Sequence, residues 1–279
     1  MVSKPSRVSL TEEAAGGLLA GIVGTVIGFP LDLIKTRMQT HQGQPGGGIF
    51  ENGLRVVKSE GILALYKGIA PPLISLSILN TFTFASYSYF QTIFQADRGW
   101  DWRNSVAGGV CGPFAATVST VENLVKTQMQ VDNISKKQFI GSWDCVTKLT
   151  RTHGPLILYT GFGINSIREI AFLTTYFGLY EGLRQTFGDL AGRHPISTWT
   201  IPVAGGFAGA ASWFLSFPLD CIRAGVQGQD MSSQRKGSLK VLWYLMETKG
   251  VKGVYGGVSP SIVRAFLVSG SRFSAYEGA

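Results

Sequence analysis

Two arginines and one glutamate lie inside otherwise apolar stretches, where a charge must have a use or a partner. Counting seven residues from each of the glycines Gly68, Gly161 and Gly257 reaches Ser75, Arg168 and Arg264, and Arg168 is followed by Glu169. Guanidinium groups at this depth suit a carboxylate, which they grip with two parallel hydrogen bonds. Glu169 suits a cation, or simply neutralises an arginine. Trp213 stands five residues before Pro218 at a similar depth, where its ring either faces an ammonium or is an ordinary lipid-facing or packing aromatic. Asn80 adds a minor polar contact. The expected solute-binding set is therefore Ser75, Asn80, Arg168, Glu169, Trp213 and Arg264.

A second set of charges recurs. FPLDLIKTRMQ covers Phe29 to Gln39, FPLDCIRAGVQ covers Phe217 to Gln227, and TVENLVKTQMQ covers Thr120 to Gln130. Glycines fix the register of the weaker middle copy. Counting from Gly17, Gly108 and Gly205 without a gap aligns Pro30 with Val121 and Pro218, and Asp32 with Asn123 and Asp220. The same count aligns Lys35 with Lys126 and Arg223, and Gln39 with Gln130 and Gln227. The middle copy has lost its proline and its acid. Glu122 is one residue out of register, about 100° away around a helix, and is placed to pair with Lys126 at i,i+4. Three copies in register predict a ring of pairs that closes one end of a barrel: Asp32 with Lys126, Asp220 with Lys35, and Asn123 with Arg223. The three glutamines would brace it from a turn below. Solvated helix-end charges are the plainer reading of any single copy.

These residues need helices to carry them. Long helices are expected from Glu12 or Glu13 to Gln39, Ile69 to Phe94, Trp102 to Val131, Gly161 to Phe187, Thr198 to Gln227, and onward from Val258. Pro30 should kink the first, and Gly17, Gly21, Gly24 and Gly28 permit close approach of its neighbours. Short helices are expected over Ile49 to Ser59, Gln138 to Arg151 and Gly237 to Thr248. The glycines Gly68, Gly161 and Gly257 are 93 and 96 residues apart, so the unit is nearly a hundred residues long. The repeats are 1–97, 98–193 and 194–279. The last long helix has only Val258 to Ala279, about 33 Å, which just crosses a hydrocarbon layer. It is either a short form or an incomplete chain.

Composition agrees with this. The 279 residues are 15% charged, against about 25% in an average soluble protein. Glycine numbers 36 and the mean hydropathy is +0.18. Together they fit membrane helices around a partly polar interior. The net charge of +8 raises nucleic-acid binding, but the bases recur at fixed helix ends with no basic-aromatic patch. Cys111, Cys145 and Cys221 have no paired spacing, and His41, His153 and His194 lie far apart. Neither a disulfide framework nor a metal site follows, and no secretory leader is evident in residues 1–12. No triad or nucleotide fingerprint supports an enzyme, and no cofactor is implied. Three hairpins put both termini on one side. The basic motif ends and short helices lie on the other, which the distribution of positive charge places inward.

The opposite end of the barrel reads as a weaker closure. The positions there are Ser88 and Gln91, Glu181 and Arg184, and Glu277. Ser88 with Arg184 and Glu277 with Gln91 are the expected contacts, Glu181 is left without a partner, and none is a full ion pair.

PLDLIKTRMQ matches in full the thrice-repeated P-x-[DE]-x-x-[KR]-x-[KR] signature, with its later Gln, of the mitochondrial carrier family. PLDCIRAGVQ matches except at Gly225. VENLVKTQMQ departs at Val121, Asn123 and Gln128. The segment from Glu60 to Gly68 matches the family's EG…YKG element. The resemblance implies an all-α membrane protein with six transmembrane helices in a three-fold pseudosymmetric barrel and three short matrix-side helices. It implies a matrix gate at Asp32, Lys35, Asn123, Lys126, Asp220 and Arg223, a cytoplasmic gate at the other end, and antiport by alternating access in the mitochondrial inner membrane. Both termini would face the intermembrane space. A monomer is expected, with membrane lipid and cardiolipin as partners beside a small zwitterionic or anionic solute. Arg168-Glu169 and the stretch SWFLSFPLDCIR, Ser212 to Arg223, resemble the carnitine/acylcarnitine and ornithine or basic amino acid carriers. The helix from Ile69 to Phe94 offers Ser75 and Asn80 but no acid, which departs from ornithine carriers. A dicarboxylate exchanger with Glu169 structural, and a transport-impaired scaffold or receptor on the same fold, stay open at this stage.

Overall fold

A computed structural model describes residues 10–40, 48–132, 138–190, 200–231, 235–255 and 257–264. The first two repeat lengths each fold as a long helix, a short helix and a second long helix, and the third as a long helix, a short helix and a further helical segment. α1 spans Leu10–Gln39, α2 Ile49–Glu60 and α3 Ala70–Ile93. α4 spans Trp102–Val131, α5 Ser142–His153 and α6 Phe162–Leu190. α7 spans Thr200–Gln227 and α8 Ser238–Val254, and a further helical segment covers 258–264. Among the described residues there is no strand.

The long helices follow the expected bounds closely; proline or glycine marks the starts of α3 and α6, and Asp101 caps α4. Pro71 and Pro72 sit in the first turn of α3, where the missing N–H groups have no intrahelical acceptor to lose. Pro30, Pro113 and Pro218 lie inside continuous helices. The short helices differ more. The second starts at Ser142 rather than near Gln138, because the Ile140 and Cys145 amides turn the chain onto Asp144 and Gly141. Lys148 also holds Asp144 at 2.8 Å, and its hydrogen bond keeps that carboxyl below the usual range. The third runs on to Val254, broken at Gly250, where φ is +61°.

The helices close in sequence order. α3 packs on α1 and α4, and α6 packs on α4 and α7. α1, α4 and α7 also touch one another, which brings the three motif segments together. The result is an all-α six-helix barrel of three-fold pseudosymmetry. Each motif end packs on its own repeat's short helix: Leu33 on Val56, Leu124 and Met129 on Cys145 and Leu149, and Phe217 and Ile222 on Val241 and Leu245. Tyr87, Ala107, Cys111, Leu173 and Phe177 pack α3, α4 and α6 farther along the barrel. Large apolar side chains face outward instead, including Ile74, Ile78, Phe114, Ile167, Phe207 and Leu215. An outward apolar surface is what lipid contact requires. Among the described residues one helical run, Pro155–Leu190, has both the length and the average hydropathy of a span.

The turn glycines close the barrel. Gly68, Gly161 and Gly257 have φ of +79°, +79° and +86°. A Cβ on Gly257 would stand 3.1 Å from the Lys35 carbonyl oxygen, and one on Gly68 3.1 Å from that of Lys126. The helices after Gly257 and Gly68 thus start against a motif lysine of another repeat, and the helix after Gly161 starts against Gln227. Gly257→Ala combines a left-handed backbone with this close approach and should cost about 1–3 kcal/mol. Gly163→Ala, in open space inside α6, should be neutral or gain up to about 1 kcal/mol. Thermal unfolding in detergent compares them, and equal shifts would contradict the packing described.

Candidate functional site

The motif segments of α1, α4 and α7 meet as a paired floor. Lys126 Nζ lies 2.7 Å from Asp32 Oδ2, and Lys35 Nζ lies 2.7 Å from Asp220 Oδ2. These two pairs are as expected. The third is not. Arg223 turns back along its own helix to Asp220 Oδ1 at 2.7 Å and to Gln227 Oε1 at 2.8 Å. The Asn123 side chain makes no hydrogen bond among the described residues. The reason is chemical: an amide offers a guanidinium far less than a carboxylate three residues away does. Arg264 supplies an unexpected tie, with its Nε 2.8 Å from Asp32 Oδ1. Asp32 therefore joins α4 to the segment 258–264, and each floor carboxylate holds two cations.

The glutamines behave unequally. Gln39 donates to Asp220 Oδ2 at 3.0 Å and braces that pair as expected. Gln227 accepts from Arg223 and donates to the Thr120 and Thr160 carbonyls, so it braces a base and ties α7 to α4. The Gln130 side chain is fully buried with no partner among the described residues, so it braces nothing there. Its backbone carbonyl accepts from Arg37 Nε at 3.2 Å. Arg37 also grips Glu60 with two N–H donors, at 2.5 and 3.0 Å. At the matching place in the next repeat, Gln128 donates to the Gln227 carbonyl at 2.6 Å. In the third the residue is Gly225, which has no side chain to reach with.

The central residues also come together, with changed partners. Arg168 and Glu169 contact each other and are both buried. Arg168 Nε is buried without an acceptor among the described residues. Trp213 does face an ammonium, but it is that of Lys35, 4.1 Å from the ring centroid. Ser75 donates to Glu122, so that acid reaches α3 rather than the expected Lys126. Asn80 lies in α3, and its side chain is outside those described. Three partners escaped the sequence reading. Ser119 donates to Glu169 at 2.9 Å, and Asn165 Nδ2 donates to Ser119 and Thr120, each at 2.9 Å. The signal was helical spacing: Ser119 is three residues from Glu122, and Asn165 three from Arg168, so each pair shares a face.

The other end holds less. Glu181 is buried, while Ser88 is exposed, and among the described residues neither they nor Arg184 form an ion pair. The expected Ser88–Arg184 contact is not made. Gln91 binds Asn104 at 3.0 Å, beside Tyr87, which binds the same amide at 3.1 Å. Glu277 lies outside the described residues.

Stability should follow the floor's pairing. Asp220→Asn strips the shared carboxylate from Lys35 and Arg223 and should cost about 3–5 kcal/mol, the range for breaking a buried pair from one side. Asn123→Ala should stay within about 0.5 kcal/mol. Thermal unfolding in detergent separates them. An Asn123 variant as damaging as the Asp220 variant would show that the third pair exists after all.

Comparison with known proteins agrees with the geometry. The mitochondrial carrier protein family model matches residues 6–98, 100–190 and 194–279. Mitochondrial substrate carrier family protein L of Dictyostelium discoideum is 32% identical over 276 residues, 94% of this chain and 92% of that protein. Mitochondrial ornithine transporter 1 of Rattus norvegicus is 29% identical over 293 residues, 99% and 96% of the two chains. Mitochondrial magnesium exporter 1 of Drosophila melanogaster is 29% identical over 274 residues, 94% and 91%. Proteins of this family are multi-pass solute transporters of the mitochondrial inner membrane, not enzymes. With its three motif copies gathered at one end of a six-helix barrel, the chain belongs to the mitochondrial carrier family.

Proposed function

We propose that the protein exchanges a small zwitterion across the inner membrane by alternating access. The observation that carries this is Arg168, a buried guanidinium with an N–H that lacks an acceptor. A solute carboxylate would fill that vacancy, since a buried donor left unpaired costs about 1–3 kcal/mol. Arg264 would supply the second guanidinium. Its one ion pair, to Asp32, ties solute binding to the floor. An acid must answer the solute's cationic end, and Glu169 and Glu122 lie close by on α6 and α4.

The floor is the matrix gate and is shut in this conformation, with Asp32–Lys126 and Asp220–Lys35 as its ionic bars. The weak pairing at Ser88, Gln91, Glu181 and Arg184 makes the cytoplasmic gate the looser of the two. The bases at the motif ends and short helices support a matrix position for that side and an intermembrane-space position for both termini. Exposed Ile62, Leu63 and Leu156 beside the short helices suit lipid contact, with cardiolipin as the lipid and a monomer as the working unit. The resemblance to ornithine transporters supports an amino acid, and SWFLSFPLDCIR supports carnitine or acylcarnitine as its rival.

One observation favours a second reading. Glu169 is in contact with Arg168, so a purely structural pair would leave Arg264 to bind an anion such as a dicarboxylate. Proteoliposomes loaded with carnitine, ornithine, lysine or malate decide between the readings. Exchange of a zwitterion, falling roughly tenfold or more in Arg264→Ala, is the expected outcome. Malate exchange alone would favour the anion reading. Folded protein that exchanges none of the four would favour a scaffold on the carrier fold.

A further inference from the structure

Four acids contribute to the floor and the central site, and three of them already hold a cation. Asp32 holds Lys126 and Arg264, Asp220 holds Lys35 and Arg223, and Glu169 holds Arg168. Glu122 is the exception. Its contact in the structure is with the Ser75 hydroxyl, and it keeps part of its surface open. The displacement has a simple origin. The acid slot of the middle motif holds Asn123, and Glu122 is one residue earlier, about 100° around α4. That rotation takes the carboxylate out of the floor and turns it to α3.

We infer that Glu122, with Ser75, is the subsite for the solute's positively charged end, and that this end carries N–H donors, as an amine or guanidinium does, rather than a quaternary ammonium. The inference rests on the zwitterion reading above. Two observations besides this acid's lack of a direct ion pair support it. First, Asn165 is fully buried, and its Oδ1 has no donor among the described residues while its Nδ2 is satisfied by Ser119 and Thr120. An orphan acceptor beside Ser119, one turn along α4 from Glu122, calls for a donor. Second, the aromatic face that would suit a quaternary ammonium is occupied. Lys35 covers Trp213 and holds Asp220 at the same time. A trimethylated cation binds by lying against aromatic rings and donates no hydrogen bond. A carboxylate, a hydroxyl oxygen and an amide oxygen instead reward N–H groups.

The arrangement also gives the solute an orientation. Ser119 binds Glu169, which contacts Arg168, and Glu122 lies one turn from Ser119. A carboxylate on Arg168 and a cation on Glu122 would thus lie on the facing helices α6 and α4. A compact solute bridges both.

The test uses purified full-length protein in liposomes, wild type and Glu122→Gln, with lysine, carnitine and malate as the probes. Lysine should exchange faster than carnitine in the wild type, and its rate should fall roughly tenfold or more in Glu122→Gln. Carnitine exchange equal to or faster than lysine exchange overturns the inference and leaves the zwitterion reading standing. So does an unchanged lysine rate in Glu122→Gln. Malate exchange with neither lysine nor carnitine moved sinks the zwitterion reading, and the inference with it. No exchange by folded protein does the same. If Glu122→Gln fails to fold, ligand-induced thermal shifts of the wild type decide. Greater stabilisation by lysine than by carnitine supports the subsite, and the reverse order overturns it.

Discussion

A charge inside a barrel of apolar helices must be answered by another charge, and carboxylates are scarce here. The floor has four cations, Lys35, Lys126, Arg223 and Arg264, and two carboxylates, Asp32 and Asp220. Each carboxylate therefore uses its two oxygens on two different bases. This sharing sets the geometry. Asp32 joins α4 to the segment after Gly257, and Asp220 joins α1 to α7. Losing Asp220 leaves two buried cations unanswered, which costs more than the pair itself contributes, and losing Asp32 leaves two partly buried ones. The floor is a small number of strong ties rather than a uniform seal.

The sharing also explains the asymmetry of the three repeats. Where α1 meets α4 and where α7 meets α1, an ion pair crosses between helices. Where α4 meets α7, neutral contacts do the work: Gln227 to the Thr120 carbonyl and Gln128 to the Gln227 carbonyl. The second charge pair has decayed in parallel. Arg37 with Glu60 survives in the first repeat, and the matching places are Gln128 with His153 and Gly225 with Lys249. A base kept without its acid would have been a liability at this depth, and acid and base are absent together.

Much of this was legible in the residues. Proline, glycine and the motif spacing located the long helices, because each acts through local backbone geometry. The pairs Asp32–Lys126 and Asp220–Lys35 followed from register alone, since three equal units leave a ring few ways to close. What escaped was choice among partners. Arg223 had an acid on its own helix as well as an amide across the gap, and spacing does not rank them without distances. The reading of Trp213 left a solute ammonium and ordinary packing both open, and nothing in the chain order says that Lys35 covers its ring. Arg264 was placed with the central site by counting, yet its side chain is long enough to reach the floor. Long, flexible bases are the residues whose partners a linear pattern leaves open.

That reach matters for how a solute and a gate are connected. On the proposed reading, a carboxylate that binds Arg264 competes with Asp32 for the same guanidinium. Asp32 then keeps Lys126 alone, and the floor loses its tie to the last helix without any distant signal being needed. The excess of bases over acids at the floor makes this exchange favourable in one direction: an arriving anion adds the negative charge that the four cations lack. A solute that brings a carboxylate is therefore one that can loosen the floor while keeping its charges answered. A ligand shifts a two-state gate only by its difference in affinity for the two states. Arg264 is the residue on which such a difference would be built.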